Sequence, residues 1–451
     1  MPQINKISAQ RFTNILQTVC FCIVVALCIQ LCTSNAVYAA DKESKKYANV
    51  KTKKRQAVGK KCGKKLEAIQ LEIDAEKWSS AKSSLKASLT KSCSTSYEKS
   101  QVWNYLAYVY FSLDDLKQAI NAYKKVIAEK DTDERQRVNV YYSIAQLYMV
   151  TENYSSAAKF LEKWMKESTV VSADGQVLLA QAYYQMDRKN DSLRLVNKAI
   201  NDWESKGKVP KENWWGLQRV IYYEQNKFPK VVGILKKLIK HYSKNTYWRQ
   251  LGGMYGELNQ DMNQLISTEV VYLVGDLKKG RDLLGLAYLF IGANAPYLAA
   301  RVIDKGIESK IIEPTAKNLE FLGHAWQLSQ EGKKARTALE KAAKVSDKGQ
   351  IWARLANVYL NLGQDTKAVS AARLALKKGN IKRADLTYMV LGNSQLNLHC
   401  YDSAQDAFRR AAKDKRSNKN ANQWILYAKS EGSRRNKLRE SGVKLKGCHK
   451  A

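Results

Sequence analysis

A pattern of about 34 residues recurs through most of this chain and limits the folds available to it. Its clearest copy begins at Trp103, continues through Leu106 and Ala107 to Tyr110, and resumes at Ala119 after a polar break. Residues three or four positions apart lie on one face of an α-helix, so each half of the pattern predicts a helix with one apolar face. Small residues at Ala107 and Ala119 allow the two helices to approach closely.

The copies keep their phase along the chain, and the residues from Trp248 to Tyr255 reproduce the W-x2-L-G-x2-Y signature of the tetratricopeptide repeat (TPR). The pattern therefore predicts an all-α, right-handed TPR α-solenoid of about ten helix-turn-helix repeats over residues 66–412. Its first hairpin, residues 66–90, is degenerate, and residues 413–451 are expected to form a basic capping helix and tail. The first residues of nine copies lie 33 to 39 positions apart and are Trp103, Tyr141, Gln176, Trp215, Trp248, Leu283, Leu319, Trp352 and Tyr388.

Residues 1–39 have the features of a cleavable signal peptide. Lys6 and Arg11 precede a mostly apolar run from Val19 to Leu31, and the small residues that a signal peptidase requires end at Ala39. The sequence therefore predicts export to a periplasm. An uncleaved signal that anchors the chain in the inner membrane is the alternative.

The formal net charge of +34 is concentrated at the two ends of the chain. Residues 40–65 are interpreted as a basic, flexible lead, and the tail from Lys413 is equally rich in lysine and arginine. Such ends suit an anionic cell-wall polymer, a membrane surface or an acidic protein segment. They are equally compatible with a solvated linker and a soluble cap. The predicted export argues against nucleic acid as the partner.

Four cysteines lie beyond the signal, an even number that suits two disulfides in an oxidising compartment. Cys62 and Cys93 flank the first predicted hairpin, where the two ends of antiparallel helices are neighbours, so a Cys62–Cys93 bridge is predicted. A Cys400–Cys448 bridge is predicted at the other end. The alternative there is a zinc site, with ligands His399, Cys400, Cys448 and His449.

No catalytic motif is present in the sequence. None of the four histidines belongs to an HExxH metal motif, and neither a GxSxG elbow, a P-loop nor a dinucleotide-binding turn occurs. His324 lies on the packed face of a predicted repeat helix, where a structural role is the simpler interpretation. We therefore expect a protein that is not an enzyme and needs no cofactor.

The inner surface of the predicted solenoid is the remaining candidate site. Residues one, five and eight positions after the first residue of each copy should point into a concave groove, whose tyrosines and amides suit an extended peptide or a helix. The alternative is that some of these aromatic rings pack between repeats. The predicted groove residues are Asn104, Tyr108, Phe111, Tyr142, Gln146, Met149, Val177, Gln181 and Tyr184.

Several short strings extend the likeness beyond the generic repeat; they are Lys211–Trp214, Tyr247–Leu258, Gly292–Tyr297, Ala299–Val302, Asn318–Glu320 and Gln423–Trp424. With these strings the chain resembles the periplasmic TPR proteins that are encoded beside TonB, ExbB and ExbD in Gram-negative bacteria. The resemblance implies a non-enzymatic adaptor that assists TonB-dependent uptake through contact with TonB, ExbB or ExbD. The alternative is an envelope-assembly or cell-wall-binding scaffold that uses its basic ends.

Overall fold

The structure is a computed structural model and describes residues 56–448, which fall into two compact units, residues 56–225 and 226–448. The predicted signal peptide and residues 40–55 of the predicted lead lie outside the described residues. Within residues 56–448 there are 21 α-helices and no strand, which confirms the predicted all-α class. No helix in this part of the chain combines the length and apolar character that a membrane crossing requires.

The first unit contains nine helices in hairpin order. Second helices pack both on their own first helix and on the next first helix along the chain. We call the surface formed by α1, α3, α5, α7 and α9 the first-helix face of this unit, and the surface formed by α2, α4, α6 and α8 its second-helix face. The helices are α1 Lys60–Asp74, α2 Trp78–Lys91, α3 Ser96–Ser112, α4 Leu116–Ala128, α5 Glu134–Val150, α6 Tyr154–Glu167, α7 Ala173–Gln185, α8 Lys189–Glu204 and α9 Glu212–Glu224.

The second unit repeats this arrangement. Its first-helix face is formed by α11, α13, α15, α17 and α19, and its second-helix face by α10, α12, α14, α16, α18 and α20; α21 packs on α19 and α20. The helices are α10 Phe228–Tyr242, α11 Asn245–Glu257, α12 Asp261–Leu273, α13 Gly280–Gly292, α14 Pro296–Glu308, α15 Ala316–Leu328, α16 Gly332–Lys344, α17 Gly349–Asn361, α18 Asp365–Lys378, α19 Ala384–Asn397, α20 Tyr401–Ala411 and α21 Lys415–Glu440.

The turn after each first helix contains one residue with a positive φ angle. In the best-formed copies the next amide then reaches back to the carbonyl of the repeat aromatic, as Asp115 N–H does to Tyr110 O at 2.9 Å and Gln364 N–H to Tyr359 O at 2.8 Å. This left-handed turn satisfies a helix-terminal carbonyl and reverses the chain. The positive-φ residues are Glu76, Asp114, Glu152, Asp187, Asn226, Asn259, Asn294, Gln330, Gly363 and His399.

Small residues lie where the two helices of a hairpin approach most closely. Ala107 and Ala119 are fully buried, as the pattern predicts. At the position equivalent to Ala107, a Cβ atom on Gly323 would lie 2.6 Å from the Leu339 side chain, and one on Gly392 would lie 2.5 Å from the Phe408 ring. Both contacts are shorter than packed atoms allow, so glycine is required at these two crossings.

The first helix begins at Lys60, whereas the predicted lead extended to residue 65. The lysines around Cys62 hide the apolar pattern there. The helix is nevertheless anchored, because Cys62 is fully buried and the Glu98 side chain accepts a hydrogen bond from Gly59 N–H at 2.9 Å. At the other end, the predicted capping helix is α21, within residues 415–440.

Candidate protein-interaction surface

The predicted groove residues of the first unit lie on its first-helix face. Asn104, Tyr108 and Phe111 lie on α3, Tyr142, Gln146 and Met149 on α5, and Gln181 and Tyr184 on α7, and all eight side chains are partly buried. Val177 does not belong to this surface, because only 2% of it is exposed. The first turn of α7 is covered at Gly175 by the Trp164 ring.

The tyrosines on this face contact adjacent helices, in their own hairpin or in a neighbouring one. The Tyr108 ring meets the Trp78 ring edge-on at 6.0 Å between centroids, and the Tyr142 ring packs at 5.2 Å from Trp164. The Tyr184 hydroxyl donates a hydrogen bond to the Glu224 carboxylate at 2.6 Å. Burial and that hydrogen bond both raise the pKa of Tyr184. Packing between repeats therefore accounts for part of the surface that the sequence assigned to ligand binding.

A depression of about 430 Å³ lies between α3 and α5 on this face. Its floor is crossed by a hydrogen bond from Gln101 Nε2 to Gln136 Oε1 at 2.8 Å. Asp133 closes one end and caps α5 by accepting hydrogen bonds from the Arg135 and Gln136 N–H groups. The depression is lined by Tyr97, Gln101, Asn104, Asp133, Gln136, Asn139, Val140 and Ser143.

Amide and hydroxyl groups that line an open depression can pair with the N–H and C=O groups of an extended peptide. Of the predicted groove residues only Asn104 lines it. The sequence analysis missed the other residues that line the depression. They lie shortly before or after the first residue of a copy, where the repeat pattern specifies no residue type. Polar residues flanking Trp103 and Tyr141 in both consecutive copies were the available signal.

The buried carboxylates have structural partners. Burial raises the pKa of Glu98, but hydrogen bonds from the Thr95, Gly59 and Ser94 N–H groups outweigh it, and the net pKa is lowered. Hydrogen bonds from Arg383 hold the pKa of Asp385 well below its ordinary range. Burial opposes this effect, and a hydrogen bond from Ser417 adds to it. His324 is half-buried, and burial, followed by the charge of Arg354, lowers its pKa.

Both predicted disulfides are present in the structure. The Cys62 and Cys93 sulfur atoms are 2.01 Å apart, and those of Cys400 and Cys448 are 2.00 Å apart. The second bond occupies both sulfur atoms of the alternative zinc site, and His449 lies outside the described residues. Within residues 56–448 no group of three His, Cys, Asp or Glu side chains is arranged to hold a metal ion.

Two family profiles match parts of the chain. The RNPP family C-terminal domain matches residues 71–205, and the tetratricopeptide repeat matches residues 349–377. The second match contains the copy that begins at Trp352. Curated proteins give no match.

Solved TPR structures are similar at low identity. A tetratricopeptide repeat protein from Parabacteroides merdae is 15% identical, covers 67% of this chain and 100% of its own, and has a TM-score of 0.36. MamA is 18% identical, covers 39% of this chain and 94% of its own, and has a TM-score of 0.34. YrrB, described as a TPR protein with an unusual peptide-binding site, is 14% identical, with coverages of 37% and 82% and a TM-score of 0.31. The helical hairpins and the repeat profile together identify the fold as an all-α array of TPR-type units, a fold that generally serves as a non-catalytic protein-interaction scaffold.

Proposed function

We propose that this protein is a scaffold that binds an extended segment of a partner protein on the first-helix face of residues 56–225. The observation that carries the proposal is the depression between α3 and α5, where Gln101, Asn104, Gln136 and Asn139 present amide groups. Amides can donate and accept at once, so they suit a peptide backbone better than they suit a charged small molecule. The surrounding tyrosines supply contact area at low entropic cost.

We propose further that the protein acts in the periplasm as an accessory of TonB-dependent uptake, with TonB, ExbB or ExbD as the partner. The resemblance of the strings between Lys211 and Trp424 supports this assignment. Two disulfides also suit an oxidising compartment. The alternative, attachment to an anionic envelope polymer through basic ends, draws support from the C-terminal tail: Arg435 donates a hydrogen bond to Lys446 O at 2.9 Å and so helps to hold basic groups together.

Site-specific photocrosslinking in envelopes tests both levels of the proposal. Photoreactive groups at Tyr97 and Ser143 sample the depression, and a second set at Arg434 and Lys437 samples the basic tail. Capture of TonB, ExbB or ExbD through the first set supports the adaptor assignment. Capture of wall fragments through the second set alone, in amounts that decline with salt, would replace it with the envelope-scaffold alternative.

Substitution of the amides separates recognition from folding. Asn104→Ala combined with Asn139→Ala should weaken capture through the depression about 30-fold, because two hydrogen bonds are worth about 1 kcal/mol each. Gln118→Ala combined with Asn121→Ala, which removes two exposed amides from α4, is the matched control and should leave capture unchanged. Equal losses in the two double variants would exclude the depression as the binding site.

A further inference from the structure

Charge is divided unequally between the two helices of the hairpins. In the second unit the first helices α11, α13, α15, α17 and α19 carry four Lys or Arg and four Asp or Glu, whereas the second helices α10, α12, α14, α16, α18 and α20 carry seventeen and eight. The first unit shows the same division. Its first helices carry eight basic and eight acidic residues, and its second helices carry twelve basic and five acidic residues. The net positive charge of the hairpins therefore lies on the second-helix faces.

The excess in the second unit is greatest on α16, which carries five basic residues and one acidic residue, and on α18, which carries four and one. Local ion pairs offset part of it. Lys334 pairs with Glu331 at 3.5 Å, Arg336 with Glu340 at 3.8 Å, and Lys378 with Asp347 at 3.0 Å. Lys341 and Lys344 are exposed and form no salt bridge with any described residue. Their charge is available to an external anion.

A depression of about 290 Å³ lies among α14, α15 and α16, within this basic region. Four of its lining residues are cations, and one is a carboxylate, Asp304. Burial, and then the charge of Glu308, raises the pKa of Asp304, and the four cations outnumber this one carboxylate in the lining. The lining cations are Lys333, Lys334, Arg336 and Lys341.

The composition of this face favours a lipid surface over a polyanionic polymer. Twelve of the seventeen cations are lysines, whose ammonium groups act as point charges without the planar fork that reads one phosphate geometry. Apolar side chains are exposed in the same hairpins: Tyr297 is 43% exposed, Leu298 42% and Val345 63%. Such side chains gain by entering the boundary between headgroups and acyl chains, and they gain little from a hydrated polymer.

We propose that the second-helix face formed by α14, α16 and α18 docks on a bilayer that contains anionic phospholipids. The depression at Lys341 receives a phosphate headgroup, and Tyr297, Leu298 and Val345 enter the interfacial layer. Binding through these second helices leaves the first-helix face of the same unit open to protein partners. The inference is independent of the depression between α3 and α5 and adds a second surface to the proposed scaffold.

Vesicle flotation of the full chain tests the proposal. The chain should bind vesicles of phosphatidylcholine with phosphatidylglycerol more tightly than vesicles of phosphatidylcholine alone, and salt should reduce the difference. Each charge near an anionic surface contributes about a fivefold gain in affinity. Lys341→Glu combined with Lys344→Glu should therefore lower binding to anionic vesicles by at least about 25-fold.

The matched control is Arg281→Glu combined with Lys317→Glu, which alters net charge by the same amount on exposed residues of first helices. It should lower binding much less. All variants share the same N-terminal segment, so any contribution of that segment to vesicle binding cancels in the comparison. Circular dichroism melting should show equal stability, because all four side chains are exposed.

Three results would overturn the proposal. The first is equal affinity for neutral and anionic vesicles, and the second is equal loss in the two double variants. The third is binding to duplex DNA or to a purified anionic wall polymer that is tighter than vesicle binding and falls by the same factor in the Lys341/Lys344 variant. That last result would assign the face to polyanionic polymers.

Discussion

The two ends of the helical array are each held by a disulfide, but in different surroundings. At the N-terminal end, Cys62 and Cys93 are 0% and 1% exposed and belong to an apolar core. At the C-terminal end, Cys448 is exposed, and α21 packs on the last hairpin through a small apolar cluster and through the buried Asp385 carboxylate, which accepts a hydrogen bond from Ser417 at 2.6 Å. The N-terminal disulfide is enclosed by the core, whereas the C-terminal disulfide has an exposed cysteine and a charged pair near it.

This difference determines which solution conditions act on each end. Buried apolar contacts are insensitive to salt and to moderate acid, whereas ion pairs and an exposed disulfide respond to pH, ionic strength and reductant. Each repeat contacts only its neighbours, so an end can unfold locally without the rest of the array. The C-terminal end should therefore respond more strongly to reductant and, through His399, to mild acid, and amide hydrogen exchange in residues 60–91 and 415–440 can follow the two ends separately.

Removal of the disulfides should have the largest effect. With sequence separations of 31 and 48 between the paired cysteines, loss of either bond should lower the free energy of unfolding by about 4 kcal/mol on chain-entropy grounds. Cys62→Ala with Cys93→Ala should lower it further, by about 1–2 kcal/mol, because it also deletes buried sulfur atoms. Calorimetry combined with hydrogen exchange measures both losses.

The wild-type protein provides the control. In a titration with a thiol reductant, Cys400 and Cys448 should become available to a maleimide before Cys62 and Cys93, because reduction needs access to the sulfur atoms. Earlier labelling of Cys62 and Cys93, or equal losses in the two double variants, would show that burial does not distinguish the ends.

Asp385→Asn should have the next largest effect, confined to the C-terminal end. Asp385 is 4% exposed and accepts bonds from Arg383 at 2.6 Å and 2.9 Å, so loss of its charge weakens charge-assisted hydrogen bonds at a cost of about 2–3 kcal/mol. Hydrogen exchange should accelerate in residues 415–440 and stay unchanged in residues 60–91. Because the pKa of Asp385 is lowered, the wild type should lose this contribution only as the pH falls below 3.8.

Asp406→Asn is the matched control for the same end. It removes a carboxylate from α20 that pairs with Arg409 at 2.6 Å, but both side chains are more than half exposed. Exposed pairs contribute less than about 1 kcal/mol, so exchange should change little. A loss as large as that of Asp385→Asn would mean that net charge, and not the buried pair, holds α21.

The positions of the hairpins could be predicted from the sequence, because the spacing of apolar residues within each helix shows which face is buried. Leu106, Ala107 and Tyr110 show the apolar side of α3 without knowledge of any neighbour. The hydrogen bonds of the buried carboxylates near the two ends could not be predicted in this way. Glu98 accepts a hydrogen bond from Gly59, 39 positions away, and Asp385 accepts one from Ser417, 32 positions away. Spacing within one helix contains no information about these pairs.

The candidate site was only partly predictable for a related reason. Helical spacing placed Tyr108 and Tyr142 correctly on the first-helix face. It did not show that Trp78 and Trp164 contact their rings, since those tryptophans belong to neighbouring second helices. The direction of a side chain can be predicted from its own helix. The space around that side chain depends on residues of neighbouring helices.

Glu98→Gln should destabilise the N-terminal end, by about 2 kcal/mol. The carboxylate is 5% exposed and accepts hydrogen bonds from Gly59, Ser94 and Thr95 N–H, and a neutral amide replaces one oxygen acceptor with a donor. Since its pKa is lowered, the ionised form contributes fully above pH 4.5 and the contribution is lost as the pH falls through the folded-state value. Thermal melts of both proteins from pH 7 to pH 3 should therefore converge in acid.

His399→Asn should have the smallest effect and should distinguish the ends by pH alone. His399 has a φ angle of +64°, a conformation that asparagine tolerates well. Burial, then the charges of Arg435, Lys446 and Arg439, lower its pKa, so the fold favours the neutral ring and the C-terminal end should lose stability as the pH falls below 6.5. Asparagine does not titrate, so hydrogen exchange in residues 415–440 of the variant should stay constant between pH 7 and pH 5 after correction for intrinsic rates. At pH 7 the change should be within about 0.5 kcal/mol. Equal acid sensitivity of the variant and the wild type in residues 415–440 would show that His399 does not cause it. The burial of the two disulfides would then be the remaining difference between the ends.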